Sequence, residues 1–559
     1  MVRKLLGKIT APVRGLHQAA YLLALLTLAS QVLALLRDRT FAHLFGAGET
    51  LDVYYAAFKI PDLVFALVAS LVSAYVLIPL ISGKHKKEMR ETLSEATSFL
   101  LVVGGVLSLV LALLAPYILP VLFPKVASGV LGSDFVLLTQ LLLAQPLLLG
   151  LSGVLMSVTQ VKRKFFLYAL SPVLYNLGII LGVIAWYPAF GVMGIGFGVL
   201  VGALLHVGIH IPVVISEGVF PRLVLPDRKR IVSLVGHSLP RSSALLVSTL
   251  TALALVMIAS RTGVGSVSVL SFALNLSLVP LSLVAASYAT AAFPVLAEHV
   301  ERKDFQAFSD TLQAAARHLI FWSSVILVLG IVLRAHVVRM VLGTGAFDWD
   351  ATRLTAAVLA VLLIGLISQG FVLLSSRAFY ASGRSWNPLV IQLVGLVSSV
   401  GCALLLLVAS SETVFIEHFF EALLRVEGVV GAQVILIAVG ATLGQLLMGI
   451  VAYVTLKQVA PGISKTLLRP LLEALGAAIL GGAASYGTLT FMGTLAPLTS
   501  LFSVFTQGVV AGMVGLAVAS AILILLENKE FRDVYDALKK ATFARSLKPT
   551  GAVLSGPPQ

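Results

Sequence analysis

Residues 35–64 read LLRDRTFAHLFGAGETLDVYYAAFKIPDLV and join two apolar runs of the chain. Segments that cross a bilayer normally exclude charge, because an ionisable side chain in hydrocarbon is costly. This junction nevertheless carries Arg37, Asp38, Arg39, Asp52, Lys59 and Asp62. Ionisable residues in or beside a membrane span are candidate functional residues by default. The stretch therefore predicts a re-entry between two membrane helices that holds functional charge.

The composition is that of a membrane protein. The chain has 559 residues, of which 58% are hydrophobic and only 11% charged, whereas soluble domains carry roughly 25% charged residues. The single cysteine, Cys402, lies in an apolar run, so a disulfide framework is excluded. The net charge of +14 comes from short basic clusters between apolar runs, which indicates membrane topology and not nucleic-acid binding.

The hydropathy pattern predicts an all-α polytopic protein with fourteen transmembrane helices. The second, seventh and eighth are weaker because Pro, Ser and Asn interrupt them, and such spans are commonly shielded by neighbours or line a cavity. The predicted spans are 18–36, 60–82, 96–122, 135–158, 166–187, 191–215, 231–260, 266–295, 312–333, 352–376, 387–409, 431–456, 470–492 and 501–526.

Lysine and arginine are concentrated in every second connection between the predicted spans. With the N-terminus inside, 29 of the 39 lysines and arginines fall in cytoplasmic segments, eight in outer segments and two, Lys59 and Arg241, within spans. Cytoplasmic loops of membrane proteins carry such an excess, so we expect both termini to be cytoplasmic. The longest outer connection, 411–428, is acidic and amphipathic, and it predicts a short interfacial helix that anchors the chain. A binding role for this helix is the alternative.

Spans two and eight end alike. In each, an apolar run meets a proline, Pro79 or Pro294, and then a basic turn and an amphipathic lead-in to the next span. The prolines are 215 residues apart, which covers six spans, so both units cross in the same direction. This predicts two six-helix lobes related by a pseudo-two-fold axis along the membrane normal, followed by two further helices. The predicted domains are an N-terminal lobe (1–225), a C-terminal lobe (226–460), spans thirteen and fourteen (461–528) and a cytoplasmic tail (529–559).

No catalytic or nucleotide-binding motif is present. The chain has no GxxxxGK[ST], GxSxG or HExxH pattern and no Cys/His cluster. His206 and His210 share a helix face in predicted span six, but two histidines are too few for a metal site. We interpret them as polar lining of the bundle interior, and we expect no enzyme activity, no metal and no cofactor.

The candidate site is the set of ionisable and polar residues in or near the spans. We expect Asp38 and Asp52 to pair with Arg37 or Lys59, since unpaired buried charge is costly. For these charged residues two roles are open, a structural clamp between helices and direct contact with the substrate. The polar residues Asn176, Asn275 and Gln369 are candidates for the site or for hydrogen bonds between helices. The candidate substrate-binding or cavity residues are Arg37, Asp38, Asp52, Lys59, Arg241, Asn275 and Gln369.

Several stretches resemble the MurJ (MviN) family of lipid II flippases. RDRTFAHLFGAGETLDVYYAAFKIPDL, from Arg37, resembles the family signature in which Arg-Asp precedes FGAG and a D-x-(4–5)-AF-[KR]-[IL]-PN pattern. Residues 239–260 look like the seventh span of that family. Residues 341–388 resemble its G-x-F, GL-x-x-Q-G and RAFYA run. The resemblance recurs over most of the chain and agrees with the span count.

The resemblance implies membership of the multidrug/oligosaccharidyl-lipid/polysaccharide exporter superfamily. Two lobes would then rock around a central cavity whose cations meet a pyrophosphate, while the last two helices form a groove for a polyprenyl tail. The implied activity is alternating-access movement of a lipid II-type precursor from the inner to the outer leaflet of the bacterial inner membrane. A membrane potential or ion gradient would drive it. The implied partners are a polyprenyl-linked glycan lipid, membrane lipid and, as a candidate class, cell-wall synthesis proteins, with no nucleic acid.

The chain departs from the family pattern at several cavity positions. Gln31 stands in place of the first arginine, and Phe65-Ala66 in place of an Arg-Arg pair. Ser70-Leu71 replaces Glu-Gly, and Leu274-Asn275 replaces Asp-Arg. Arg37 and Lys59 remain. Such a pocket is expected to hold a diphosphate less tightly, and we predict that the charge of Arg37 is required for activity.

Three other functions stay open at this point. One is an ion-coupled exporter of small organic molecules from the same superfamily, which the loss of cavity arginines favours and the FGAG and RAFYA motifs oppose. Another is a non-transporting scaffold that kept the fold. The third is a membrane enzyme acting on polyprenyl substrates, which would need catalytic side chains gathered in outer loops.

Overall fold

The computed structural model describes residues 16–225, 228–460, 463–495 and 500–546. Within these ranges the regular secondary structure is helical and contains no β-strand, which confirms the all-α prediction. The helices of the first half are α1 Leu16–Phe45, α2 Glu49–Ala57, α3 Lys59–Leu67, α4 Ala74–Ile81, α5 Lys86–Phe99, α6 Gly105–Leu122, α7 Pro124–Ala127, α8 Gly132–Leu142, α9 Gln145–Val161, α10 Phe165–Leu181, α11 Tyr187–Phe190, α12 Val192–Gly208 and α13 Ile211–Ser216.

The described part of the second half contains thirteen further helices. They are α14 Arg228–Ala259, α15 Ser266–Pro280, α16 Ser287–Glu301, α17 Phe305–Val332, α18 Arg334–Val341, α19 Trp349–Ile364, α20 Leu366–Ala381, α21 Asn387–Glu412, α22 Val414–Leu424, α23 Val434–Leu456, α24 Ile463–Leu495, α25 Leu501–Leu525 and α26 Lys529–Ser546. Among these, α22 forms within 411–428, where a short interfacial helix was predicted. The last residues of the predicted tail, 547–559, lie outside the described ranges.

Eleven helical segments of the described chain are long and apolar enough to cross a membrane, and two bent pairs raise the number to thirteen. The pairs are Glu49–Leu67 with Ala69–Ile81, bent by 46°, and Trp349–Ile364 with Leu366–Ala381, bent by 48°. The count of fourteen, which also needs α1 to span, stays a prediction. The predicted start of span two at residue 60 lies one residue after the start of α3 at Lys59, and the apolar pair begins earlier, at Glu49, because α2 precedes α3 with only Phe58 between them.

The helices form two bundles with two helices added. In the first bundle α1 packs on α10 and α10 packs on α12, and in the second α21 packs on α23. The bundles touch where α14 packs against α3 and α4, and where α15 packs against α2. Helices α24 and α25 pack on each other, and α24 also packs on α17. An irregular segment precedes each of the two proline helices named in the predicted repeat: a 3₁₀ turn, Ala69–Val72, comes before α4, and a π-helical segment, Leu281–Ala286, comes before α16.

Glycines hold α10 and α12 together. A Cβ added at Gly182 would lie 2.5 Å from the Cα of Gly198, and one added at Gly198 would lie 2.6 Å from the Cα of Gly182. One turn away, a Cβ added at Gly178 would lie 2.3 Å from the Cα of Gly202, and one added at Gly202 would lie 2.4 Å from the Tyr175 carbonyl oxygen. Small residues four apart permit such backbone contact between membrane helices, where van der Waals packing drives association. This contact fixes the position of α10, which carries Asn176 toward α1.

Two faces of the molecule are used below. The sealed face is formed by residues 43–52, 263–268 and 343–347, where the two bundles are bonded to each other. The cavity face is the opposite one, with the connections 82–85, 162–164, 302–304 and 382–386. The distribution of lysine and arginine predicts that the cavity face is cytoplasmic.

Candidate substrate cavity

A cavity of about 510 Å³ lies between the two bundles, toward the cavity face. The first bundle contributes residues of the second span, α9 and α12, and the second contributes α14, α20 and α21. The polar residues on its walls are Ser70, Ser73, His206, Arg241, Ser242, Ser248, Ser376, Arg377, Tyr380 and Gln392. The other lining residues are apolar or glycine, so the cavity offers two guanidinium groups between walls that mix polar and apolar side chains.

The charge of this cavity is of one sign. Arg241 and Arg377 line it, and no aspartate or glutamate is among the lining residues that the structure describes. Arg377 lies over the ring of Phe293 at 5.9 Å from its centroid, a cation–π contact. Tyr380, one turn beyond Arg377 on α20, adds a hydroxyl to the same wall. The arrangement suits an anionic group, because guanidinium binds phosphate oxygens through charge-assisted hydrogen bonds.

Arg241 was a predicted site residue, and the structure brings it to the cavity wall. Arg377 was not, because the predicted tenth span ends at residue 376 and the arginine was assigned to a cytoplasmic connection. Helix α20 continues to Ala381 and keeps Arg377 inside the bundle. The available signal was the RAFYA motif itself, which begins at this residue.

His206 forms part of the first bundle's wall. Its Nδ1 lies 2.7 Å from the hydroxyl of Ser152, which also donates to the His206 carbonyl at 2.9 Å. The ring packs edge-on against Tyr175, whose hydroxyl accepts a hydrogen bond from Gln145 at 2.9 Å. His210 is buried behind it, 3.1 Å from the Thr159 hydroxyl. Both histidines are polar residues of the bundle interior, as predicted, and only His206 lines the cavity.

Arg37 and Asp38 form a bridge between the bundles. Arg37 Nη2 donates to Asp38 Oδ1 at 2.8 Å, and Arg37 Nη1 donates to Asn176 Oδ1 on α10 at 3.1 Å. From the second bundle, Asn275 Nδ2 donates to Asp38 Oδ2 at 3.0 Å. The group therefore has the geometry of the structural clamp, and its members are not among the residues that line the 510 Å³ cavity.

Asp52 seals the opposite face, and its expected pairing with a cation is wrong. Its Oδ2 accepts from the backbone N–H of Gly265 at 2.6 Å. Its Oδ1 accepts from the N–H and the hydroxyl of Ser268 at 2.7 and 2.6 Å. These donors open helix α15, where unpaired N–H groups and the helix dipole stabilise a carboxylate. Asp52 therefore belongs to the first bundle but caps helix α15 of the second bundle.

A second set of bonds joins the bundles at the sealed face. Arg39 Nη1 donates to the carbonyls of Met340 and Val341, at 2.7 and 3.1 Å, at the end of α18. The carbonyl of His43 accepts from the Ala346 N–H at 2.9 Å. The approach requires glycine at position 46: its φ is +61°, and a Cβ there would lie 2.6 Å from the Ala346 carbonyl oxygen. The FGAG sequence is therefore part of the seal.

Lys59 and Gln369 have other partners than those expected of cavity residues. Lys59 Nζ lies 3.9 Å from Asp62 Oδ2, one turn along α3, so the lysine pairs with neither Asp38 nor Asp52. Gln369 Nε2 donates to Gln445 Oε1 at 3.0 Å and joins α20 to α23. Neither Lys59 nor Gln369 is among the residues lining the cavity. For Gln369 the geometry is that of the alternative interpretation, a hydrogen bond between helices.

Comparison with known proteins decides the family. The family profile "Lipid II flippase MurJ" matches residues 41–506 of this chain. The chain belongs to the MurJ family. A probable lipid II flippase MurJ of Bdellovibrio bacteriovorus is 27% identical over 478 residues, which cover 82% of this chain and 85% of the relative. The lipid II flippase MurJ of Burkholderia cenocepacia is 26% identical, over 65% of this chain and 73% of the relative.

Solved structures agree on the fold. A lipid II flippase MurJ in an inward closed conformation superposes with a TM-score of 0.70 at 20% identity, covering 91% of this chain and all of that one. An inward-facing multidrug resistance MATE family transporter of the MOP superfamily superposes with a TM-score of 0.61 at 16% identity, over 78% of this chain and 96% of that one. The chain therefore has the MurJ fold. At the positions where family arginines were expected, Phe65 lines the cavity and Gln31 lies 3.5 Å from Ser282.

Proposed function

We propose that this protein is a flippase that moves a polyprenyl-pyrophosphate-linked peptidoglycan precursor of the lipid II type across the membrane by alternating access. The observation that carries the proposal is the cavity between the bundles, which holds Arg241 and Arg377 and has no carboxylate among its described lining residues. Membership of the MurJ family supports the choice of cargo.

The negative charge of the cargo's diphosphate explains why such a cavity is needed. A polyprenyl tail can stay in lipid, but an ionised diphosphate loses its water on entering hydrocarbon, at a cost of tens of kcal/mol in an idealised low-dielectric medium. Two guanidinium groups supply charge-assisted hydrogen bonds in place of that water. Each also matches the spacing of paired phosphate oxygens, which an ammonium does not. We assign the diphosphate to Arg241 and Arg377, and the serine-rich walls to the sugar hydroxyls.

The sealed face supplies the second part of the mechanism. In this state the bonds of Asp52 to Gly265 and Ser268, together with that between His43 and Ala346, keep the bundles together at the face that we propose to be outer. Separation of α2 from α15 would open that face, and closure of α14 on the second span would close the cavity face. The sealed face combines these hydrogen bonds with apolar side chains that are buried from both bundles, among them Leu51, Val267 and Phe347, and both kinds of contact would have to break for the face to open.

The remaining assignments follow from the same proposal. We place the protein in the bacterial inner membrane with both termini in the cytoplasm, and we take residues 1–225 and 226–460 as the moving lobes. Spans thirteen and fourteen, within 461–528, are assigned to the polyprenyl tail. A membrane potential or ion gradient drives the cycle, no catalytic step takes place, and cell-wall synthesis proteins are the candidate partners.

The exporter alternative receives less support from the site. An organic cation entering the cavity would meet two arginines and no carboxylate of the described lining residues. Electrostatic repulsion in a low-dielectric space disfavours such a cargo. An anionic small molecule is the form of this alternative that the cavity charge allows.

Complementation of a flippase-depleted bacterium tests the proposal. We expect growth to be restored by the wild type and by Arg384→Ala, which removes an exposed arginine just beyond α20. The double variant Arg241→Ala/Arg377→Ala should fail at equal membrane abundance. Rescue by the double variant would remove the cavity cations from the mechanism. Failure of the wild type would favour another cargo or a scaffold.

A further inference from the structure

A second apolar pocket lies at the sealed face, away from the interface between the bundles. Its volume is about 370 Å³, and it is bounded by the outer end of α17, the last turns of α19 and the first half of α23, and roofed by helix α22. Phe420, Leu423 and Leu424 of α22 face it from above, and Arg334 is the only charged residue among those described as lining it. The pocket is thus an apolar slot with a cation at one end.

The slot opens on the surface that the membrane covers. Ile364, Leu423 and Leu443 line it and are 45%, 61% and 43% exposed. In a membrane protein, apolar side chains exposed at this depth are covered by lipid chains and not by water. The single hydroxyl among the lining residues, that of Thr442, is already bonded to the Val361 carbonyl at 3.0 Å. The slot therefore accepts a hydrocarbon chain without leaving a polar group unsatisfied.

The cationic end lies where lipid phosphates are found. Arg334 comes two residues after the last residue of the span Phe305–Val332, and Arg425 follows the last residue of α22. Burial, and after it the positive charge of the nearby Arg425, lower the pKa of Arg334. Arg425 Nη2 also lies 3.4 Å from the hydroxyl of Tyr486, a half-exposed tyrosine of α24. Tyrosine is enriched at this level of the membrane.

Neither arginine has a carboxylate partner in the described part of the chain. No aspartate or glutamate oxygen lies within 4.0 Å of Arg334 or Arg425; Glu421 of α22 is 3.2 Å from His418 instead. Arg334 donates one hydrogen bond, to the Ile331 carbonyl at 3.0 Å. A guanidinium has five N–H donors, so most of the donors on each arginine are available to another acceptor.

We propose that this slot binds a phosphate-headed anionic membrane lipid from the adjoining leaflet, with one acyl chain under α22 and its phosphate between Arg334 and Arg425. The site is separate from the cavity of Arg241 and Arg377, and its occupant is a resident lipid and not the transported cargo. The geometry requires both parts: the chain fills the apolar slot and the phosphate neutralises two neighbouring cations.

Lipid retention by the purified full-length protein tests the proposal. The protein is placed in bilayer discs of phosphatidylcholine with a minor fraction of phosphatidylglycerol. It is then extracted from the discs, and the lipids that stay bound to it are quantified by mass spectrometry. We expect phosphatidylglycerol to be enriched over phosphatidylcholine, and Arg334→Gln/Arg425→Gln to lower that enrichment about tenfold, as expected for loss of charge-assisted hydrogen bonds. The matched control is Arg384→Gln, at the cavity face, which should retain the enrichment.

Two further variants test whether the enrichment of phosphatidylglycerol depends on the slot or on the cavity. Leu443→Trp, which fills the slot and keeps both arginines, should also lower the enrichment, and Arg241→Ala/Arg377→Ala should leave it intact. Variants are compared only where their thermal unfolding matches the wild type. Equal retention of the two lipids by the wild type, or unchanged enrichment in the double glutamine variant, would overturn the proposal. So would competition by inorganic phosphate alone, since that would indicate a small-anion site with no role for the acyl chain.

Discussion

Asp52 and Ser268 lie on different bundles and are joined twice, because Asp52 Oδ1 accepts from both the backbone N–H and the hydroxyl of Ser268, at 2.7 and 2.6 Å. The same carboxylate also accepts from Gly265. One side chain of the first bundle thus satisfies the opening turn of a helix in the second. The contact lies beside apolar residues buried from both bundles, among them Leu51, Val267 and Phe347.

Removal of this carboxylate should open the sealed face. Asp52→Ala deletes hydrogen bonds to a charged group, which contribute about 1.5–3 kcal/mol each, so the open population rises. The measurement is the rate at which a membrane-impermeant thiol reagent modifies Ala47→Cys in a Cys402→Ala background. We expect an increase of about tenfold or more from the loss of even one such bond.

Asp348→Ala is the matched control for this change. Asp348 also caps a helix at the sealed face, accepting from the Ala351 N–H at 2.7 Å, but it does so within its own bundle. The labelling rate of Ala47→Cys should stay unchanged in this variant. An equal rise in both variants, or none in Asp52→Ala, would show that Asp52 does not hold the face closed.

The Arg37–Asp38 pair should behave as a buried ion pair. Asp38 is 3% exposed, so Asp38→Asn leaves the Arg37 guanidinium without its counter-charge. Breaking a buried pair in this way costs about 3–5 kcal/mol, whereas removing both charges costs less. We expect thermal unfolding in detergent to show a lower Tm for Asp38→Asn than for Arg37→Met/Asp38→Asn. Additive losses of stability would contradict the pairing.

The same double variant separates the two interpretations of Arg37. If the pair is only a clamp, Arg37→Met/Asp38→Asn should keep transport in proportion to the folded protein. If the charge of Arg37 is required, as the sequence predicted, the folded double variant should fail to support growth of a flippase-depleted strain. Growth at the wild-type rate would end the case for a substrate contact by Arg37.

The tail helix α26 should detach when its buried anchor is lost. Glu530 is 3% exposed and pairs with Arg317 of α17, and Asn528 beside it donates to Glu473 at 2.8 Å. Glu530→Ala leaves Arg317 half-buried without its partner, which favours local release of the helix. We expect trypsin to cut within α26 about tenfold faster, since cleavage follows the open population. Glu527→Ala removes an exposed pair with Arg532 and should not change the rate.

Hydropathy predicted the architecture because membrane helices must satisfy their own backbone groups, and long apolar runs therefore mark them well. It placed the ends of spans poorly. The polar first turn of α2 and the serine- and arginine-containing end of α20 both lower the local hydropathy, and Arg377 was missed for that reason. The sequence did indicate Arg241, since an arginine within a span is rare enough to be noticed.

The partners of the charged residues could not be predicted from spacing. Asp52 binds Gly265 and Ser268, more than two hundred residues away along the chain, and its donors are mostly backbone N–H groups, which every residue but proline possesses. Arg37 and Asp38 also have partners that are distant along the chain: Arg37 donates to Asn176, and Asp38 accepts from Asn275. Such contacts depend on how the helices pack against each other. The glycines of α10 and α12 determine that packing on the side of the bridge where Asn176 lies.

Transport in proteoliposomes tests the central claim most directly. A lipid II-type precursor is placed in vesicles with the wild type, Arg384→Ala or Arg241→Ala/Arg377→Ala, and its appearance in the opposite leaflet is followed by accessibility of the head group to a membrane-impermeant reagent. The account predicts transport by the wild type and Arg384→Ala, and loss of transport in the double variant with its fold intact. Equal transport by all three proteins would contradict it.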